Sequence, residues 1–451
     1  MNRNKLLIYF FILLIGLSIT FFTIHFSFNP KTVGVLIFLL VFIPTLIKPD
    51  IGLVIIIFST FFSPEIILGI TSQREITLRI EDIFLLLVIF AWFIRIAFTK
   101  DIRKTFKTKL TLPFFLYIAT CIFSSLFASI FSEIDIKYSF LCILKYLQYF
   151  LLFLMVKDNI RSLRQIKFFI GLFILVAGIL AIHTNIFIQE KLTLGETFFR
   201  VGPLIGTRGK SESATLAGFL IFMMGLVGGL SISMRSIPLR IFLIFLFLIM
   251  FRAFLYTLSR GAYLAFLPML FTLAFCSRKI ISIYGIIIFL LIFTLLMPKI
   301  VRERIVNTLV AKESVEGTYL EWEESARARI DTWQEVLFNY FPARPLFGYG
   351  VGSRFIDSQI FLTLYETGLL GLFLLIWLWL RIFKLAKEVF NLESIKSNNF
   401  TKGLSLGFLS GYIGLIVQAF STNTFIIIRI MEPFWFITAL VITLPQLLKN
   451  K

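Results

Sequence analysis

Apolar residues run in long blocks separated by short polar punctuation, and this pattern repeats down almost the whole chain. About 20 apolar residues in a helix cover the hydrocarbon of a bilayer. Blocks of that kind fall near 6–24, 33–47, 51–68, 83–98, 110–130, 138–156, 168–188, 214–232, 238–257, 261–276, 280–298, 358–380, 403–421 and 433–448. Two neighbouring pairs, 33–47 with 51–68 and 238–257 with 261–276, are tightly spaced, so the pattern predicts about 12–14 transmembrane helices. The expected fold is all-α: one polytopic helical bundle over residues 1–451, interrupted by a long polar loop, 299–357, with amphipathic helices at the interface. The first block has no small-residue cleavage site and reads as a retained helix.

Composition supports this reading. Of 451 residues, 58% are hydrophobic and 15% charged, against roughly 45–50% apolar and about 25% charged in a soluble chain. That excludes a secreted protein, a soluble nucleotide-binding enzyme and a disordered chain. The net charge of +19 first has to be sorted by side of the membrane, so nucleic acid is not an expected partner. Cations cluster in Lys100–Lys109, Lys157–Lys167 and Arg381–Lys402. Placing these inside makes both termini cytoplasmic. Two long segments, 189–213 and 299–357, are then cation-rich although they face outward. Either long loops translocate regardless of charge, or an anionic ligand is handled there. Cys121, Cys142 and Cys276 lie in or beside apolar blocks with no metal-ligand spacing.

The outer loops hold the candidate chemistry. A helical 300–310 puts Val301, Ile305 and Leu309 on one face, as an interfacial helix would. Arg329 and Trp333 are four residues apart and share a helix face. Gly348, Gly350 and Gly352 allow a tight turn, which serves either re-entry into the membrane or the aiming of backbone N–H groups at an anion. Asp357 precedes an apolar helix beside Ser358, as an N-cap or a general base. Glu366 lies inside that same span, where a carboxylate is costly unless it serves a function. Arg200, Arg208 and Lys210 stand in the glycine-rich segment 189–213, and Arg260 is pinned between two spans.

Four separated stretches resemble the O-antigen ligase/polymerase family of membrane glycan-transfer proteins. They are Thr257-Leu258-Ser259-Arg260-Gly261-Ala262, Arg329 to Trp333 with Pro345 to Gly350, Glu366 to Gly371, and Ser421-Thr422-Asn423 with Arg429 and Glu432 to Trp435. The ligase branch usually carries His-Asn where this chain has Asp357-Ser358. The only histidines, His25 and His183, lie elsewhere, so the resemblance points to a polymerase-like member.

It implies a GT-C-like multi-pass protein of the bacterial inner membrane. The expected reaction transfers undecaprenyl-diphosphate-linked glycan onto a sugar hydroxyl at the outer face, inverting and metal-independent, with no cofactor. Asp357 and Glu366 would be catalytic. Arg208, Arg260 and Arg329, with Arg200 and Lys210, would hold the diphosphate. Trp333, Gly348, Gly350, Gly352 and Ser358 would support them. Membrane lipid and other polysaccharide-assembly proteins are the expected partners. The alternatives are a ligase moving glycan to lipid A core or another carrier, and a flippase for lipid-linked oligosaccharide.

Overall fold

The computed structural model describes residues 41–63, 65–70, 75–99, 106–131, 134–196, 199–203, 212–277, 280–306, 309–314 and 317–449. The first expected span lies outside these residues, and of the second only 41–47, which are helical, are described. The helices are α1 (Pro49–Phe62), α2 (Ile80–Thr99), α3 (Thr111–Ile130), α4 (Ile136–Asn159), α5 (Leu163–Thr193), α6 (Ser213–Ser233), α7 (Ile237–Leu255) and α8 (Arg260–Ser277). They continue with α9 (Ile280–Leu296), α10 (Lys299–Val306), α11 (Glu324–Glu335), α12 (Gln359–Asn391), α13 (Glu393–Lys396), α14 (Asn399–Gln418) and α15 (Ile428–Lys449). Among the described residues, nine helices are long and apolar enough to cross a membrane.

Two expectations need correction. The block 51–68 is not one helix. α1 ends at Phe62 because Ser63, which precedes Pro64, is extended (φ −88, ψ 137), as the proline ring demands of the residue before it. The chain then forms an antiparallel hairpin, β1 (Glu65–Ile70) with β2 (Glu75–Arg79). A second hairpin, β3 (Leu309–Ser314) with β4 (Gly317–Trp322), stands in the long loop. The helical bundle is as expected; the hairpins add short strand structure outside it. The predicted Val301–Ile305–Leu309 face does not form either. Val301 is fully buried, Ile305 is exposed, and Leu309 opens β3.

At the centre of the bundle, α6 packs along α14 through facing glycines. A Cβ on Gly229 would lie 2.4 Å from the Gly407 nitrogen, and one on Gly225 would lie 2.6 Å from the Gly411 nitrogen. Small residues four apart bring two backbones close where lipid offers no hydrophobic drive for association. Around this seam, aromatic rings fill the interior: Phe114 stacks on Phe150 at 4.0 Å, and both meet Trp435 edge-on.

The alternating helices gather the connections into two ends. One end carries β1–β2, residues 199–203, the α7–α8 turn, everything from α10 to the start of α12, and the α14–α15 connection. The other carries the α4–α5, α6–α7 and α12–α14 connections.

Gly407→Val should destabilise the bundle by about 1–3 kcal/mol, the usual cost of overpacking. The readout is a lower unfolding temperature of the detergent-solubilised protein. Gly285→Ala, at a helical site where a Cβ meets nothing within 4 Å, should not lower that temperature and should raise it slightly, since alanine is the better helix former.

Candidate active site at the loop end of the bundle

α12 is broken within its length. Gly368 has φ 65 and ψ −164, a conformation that glycine enters without steric penalty. The break releases backbone groups that water cannot satisfy inside a bilayer, and the turn 345–352 takes them up. Leu369 N–H donates to Pro345 O at 2.8 Å and Leu370 N–H to Leu346 O at 3.4 Å. In return, Tyr349 and Gly350 N–H donate to the carbonyls of Tyr365 and Glu366, both at 2.9 Å. From α3, the Ser124 hydroxyl donates to Glu366 O at 2.6 Å. The buried Glu366 carboxylate accepts the Gly352 N–H at 2.7 Å.

Of the two readings of the three glycines, re-entry turn and anion cradle, this arrangement matches the re-entry turn. Gly348, Gly350 and Gly352 all have positive φ. However, the N–H groups of Gly350 and Gly352 are spent on Glu366, and that of Gly348 goes to Arg344 O at 3.3 Å. The turn is a re-entry device, and in this arrangement Glu366 serves it as an acceptor.

The turn brings the preceding helix back over the mouth of α12. Trp333 on α11 stacks on Phe361 of α12, with ring centres 5.0 Å apart and 10° between planes. One turn earlier on α11, Arg329 Nε lies 3.3 Å from Asp357 Oδ2, both side chains being a little over one-third exposed. Asp357 is therefore an ion-pair partner and not the N-cap. Ser358 occupies the cap position, and its hydroxyl makes no capping bond.

A second carboxylate draws in further guanidinium groups. Glu323, just before α11, accepts from Arg260 Nη2 at 2.6 Å and from Arg304 Nη1 at 3.0 Å. Ser325 Oγ donates to it at 2.8 Å. Burial alone would raise the Glu323 carboxyl; the bonds from Ser325, Arg260 and Arg304 overcome that and hold it at about 2. Arg200 belongs to the same field. Burial, followed by the charge of Arg304, pushes its guanidinium below the ordinary arginine value; Glu323 opposes this, and Arg260 and Arg329 add to it. Four arginines thus sense one another around two carboxylates. Arg260 Nη1 is buried and has no acceptor among the described residues.

Of the sequence-predicted site, Arg200, Arg260, Arg329 and Asp357 come together, and Trp333 holds α11 beside them. Glu366 and the glycines lie beneath, at the break in α12. Arg208 and Lys210 lie outside the described residues. His183 is exposed on α5. Sequence reasoning missed Arg304 and Glu323, which sit in charged runs whose neighbours Arg302 and Glu324 look equivalent. A buried group at the same end of the bundle was not foreseen either, although the family resemblance included its Arg429 and Glu432. There Arg79 pairs with Glu81 at 3.4 Å and with Glu212 at 3.9 Å, and Thr60 donates to Glu432 at 2.5 Å near the buried Arg429.

Residues 245–376 match the O-antigen ligase family model. The matched segment runs from α7 into α12 and contains Arg260, Arg304, Glu323, Arg329, Asp357 and Glu366, whereas Arg200 lies before it. It bears out the family resemblance and supports glycan transfer of the O-antigen ligase/polymerase type in a multi-pass membrane protein. A search of curated proteins finds no match for the chain.

Two outcomes test this geometry within the matched segment. Glu366→Gln keeps an acceptor for Gly352 N–H, and the 345–352 turn should stay resistant to protease. Glu366→Ala removes the acceptor and should expose that turn to cleavage. Protection that is equal in both variants would show that Glu366 does not hold the turn. For Glu323 the folded value, about 2, lies below the ordinary 4.5. Its contribution to stability is therefore complete above about pH 4.5 and lost as pH falls toward 2. Unfolding temperature should fall more steeply over that interval in the natural protein than in Glu323→Gln.

Proposed function

We propose that the chain is a polymerase of a bacterial surface polysaccharide, working at the outer face of the inner membrane with both termini in the cytoplasm. The donor is an undecaprenyl-diphosphate-linked glycan, and the acceptor is a sugar hydroxyl. The observation that carries this reading is the arginine group, Arg200, Arg260, Arg304 and Arg329, together with the Arg329–Asp357 pair.

Breaking the bond between the anomeric carbon and the diphosphate oxygen leaves the electron pair on the diphosphate. Preorganised positive charge stabilises that leaving group most strongly in the transition state. Arginine suits the task because its planar fork binds phosphate oxygens two at a time and stays charged. Glu323 holds the fork of Arg260 in place until a diphosphate exchanges with it.

Asp357 is the proposed base. While paired with Arg329 at 3.3 Å, its carboxylate oxygen is engaged and not free to meet an acceptor hydroxyl. When the donor diphosphate draws Arg329 to itself, the carboxylate is released. Asp357 then takes the acceptor proton as the acceptor oxygen attacks the anomeric carbon from the face opposite the leaving group. The product is inverted, and the free polyprenyl diphosphate departs. Arg208 and Lys210, in the segment after Arg200, are proposed to extend the same phosphate clamp.

The test uses purified full-length protein in membranes and a lipid-linked repeat unit as the only sugar compound. Elongation without a second acceptor supports a polymerase. Transfer that requires lipid A core or another carrier would make the protein a ligase, and translocation without a new glycosidic bond would make it a flippase. Asp357→Asn should lower turnover by about 10²–10⁴-fold, the usual contribution of a positioned base. Arg260→Lys should lose about 10²-fold or more, as removal of an oxyanion donor does. Glu323→Gln should tighten pyrophosphate binding, because the resident competitor is gone. Unchanged turnover in Asp357→Asn and Arg260→Lys would remove both assigned roles.

A further inference from the structure

At the opposite end of the bundle lies a cavity of about 600 Å³ between α5, α6, α7 and the start of α14. Its size is that of a small-molecule site. Helices α5, α6, α7 and α14 each run from this cavity to the arginine group, so the two sites are separated by the thickness of the membrane domain.

The lining combines apolar side chains, among them Ile170, Leu230 and Leu243, with the polar Lys167, Ser397 and Asn399. No acidic residue lines it. Lys167 Nζ is held over the Phe400 ring at 5.5 Å and has no carboxylate partner among the described residues. At the rim, Arg240 donates to the carbonyl of Met234, a lining residue, at 2.7 Å. Its buried Nε has no acceptor among the described residues.

The space is kept open by a missing side chain. Gly171 lines the cavity in the first half of α5, and a Cβ there would meet no atom within 4 Å. Glycine at a helix-interior site costs about 0.5–1 kcal/mol relative to alanine, and no close backbone packing here accounts for it. A ligand that suits this lining carries both apolar and anionic groups, and the cavity opens to the outside of the bundle, where Leu239 of the lining is 40% exposed.

We infer that this cavity binds one anionic phospholipid, with its phosphate at Lys167 and Arg240 and the start of its acyl chains along Ile170, Gly171 and Leu243. In the topology proposed above the lipid comes from the cytoplasmic leaflet. The site is independent of the glycan-transfer reading, which can fail without affecting it.

The experiment is native mass spectrometry of the full chain in detergent, titrated with phosphatidylglycerol and with phosphatidylcholine of the same chains. The natural protein should retain one phosphatidylglycerol through washing and release phosphatidylcholine. Gly171→Trp, which fills the cavity, should lose that molecule. Lys167→Ala should weaken phosphatidylglycerol about fivefold, as expected for one cation near a lipid surface, and leave phosphatidylcholine unaffected. Should Gly171→Trp not fold, Gly171→Leu with Lys167→Glu gives the same decision. Equal retention of the two lipids, or an unchanged phosphatidylglycerol count in the filled-cavity variant, would overturn the inference. So would displacement of the lipid by inorganic phosphate, which would make this a phosphate site.

Discussion

The arrangement depends on how one interrupted helix satisfies its backbone. A carbonyl or N–H left bare in a bilayer costs several kcal/mol, and the break at Gly368 leaves such groups on both sides of one residue. The turn 345–352 satisfies four of them by an exchange of backbone bonds, and Ser124 and the Glu366 carboxylate complete the seal. The glycines are needed because a Cβ on Gly348 would fall 2.4 Å from Tyr365 O, and one on Gly368 would fall 2.4 Å from the Leu346 backbone. Once this turn is fixed, α11 has little freedom. Trp333 lies flat on Phe361, and Arg329 arrives at Asp357. A long polar loop is thus given a defined position by a defect in a transmembrane helix.

Electrostatics then sets the composition of the pocket. Four guanidinium groups repel one another, and the charges of Arg304, Arg260 and Arg329 all act against the protonated form of Arg200. Glu323 makes the cluster tolerable in the absence of any ligand. It bonds to Arg260 and Arg304 at once and stays ionised to about pH 2. Glu323 and Asp357 leave the group two positive charges in excess, and Arg260 Nη1 still lacks an acceptor. A site of that kind favours an anion with more than one charge, which can replace a carboxylate and bring additional oxygens.

Much of this was legible in the chain. Long apolar blocks at bilayer length identified most of the spans, since burial in lipid leaves little choice of structure. Arg260 stood out because it has almost no loop around it, and Arg329 with Trp333 because of their helical spacing. The hairpins were not legible. In 65–79, strand and helix readings of a short apolar run are equivalent until Pro64 is given its weight. Arg304 and Glu323 were hidden for a different reason. Their importance comes from a contact between α8, α10 and the residue before α11, and local pattern carries no information on such a contact. The glycine turn had two readings, re-entry or an anion cradle, and the sequence could not choose between them because it does not reveal that the N–H groups face a broken helix.

The centre of the bundle and its loop end solve different mechanical problems with the same residue. Along α6 and α14, glycines remove volume so that backbones touch, making a stiff axis that does not yield when the loop end exchanges one anion for another. In the turn 345–352 and at Gly368, glycine provides backbone geometry, so a loop can be anchored where no side chain fits. The charged contacts above that anchor are partly exposed, and pairs of that kind are individually weak. Reorganisation on binding should therefore be confined to side chains: Arg329 leaving Asp357 and Glu323 leaving Arg260 break ion pairs without breaking the backbone exchange beneath them. A rigid frame under a labile charge network lets a polyanion rearrange the site at low cost and lets the resident carboxylates restore it when the product leaves.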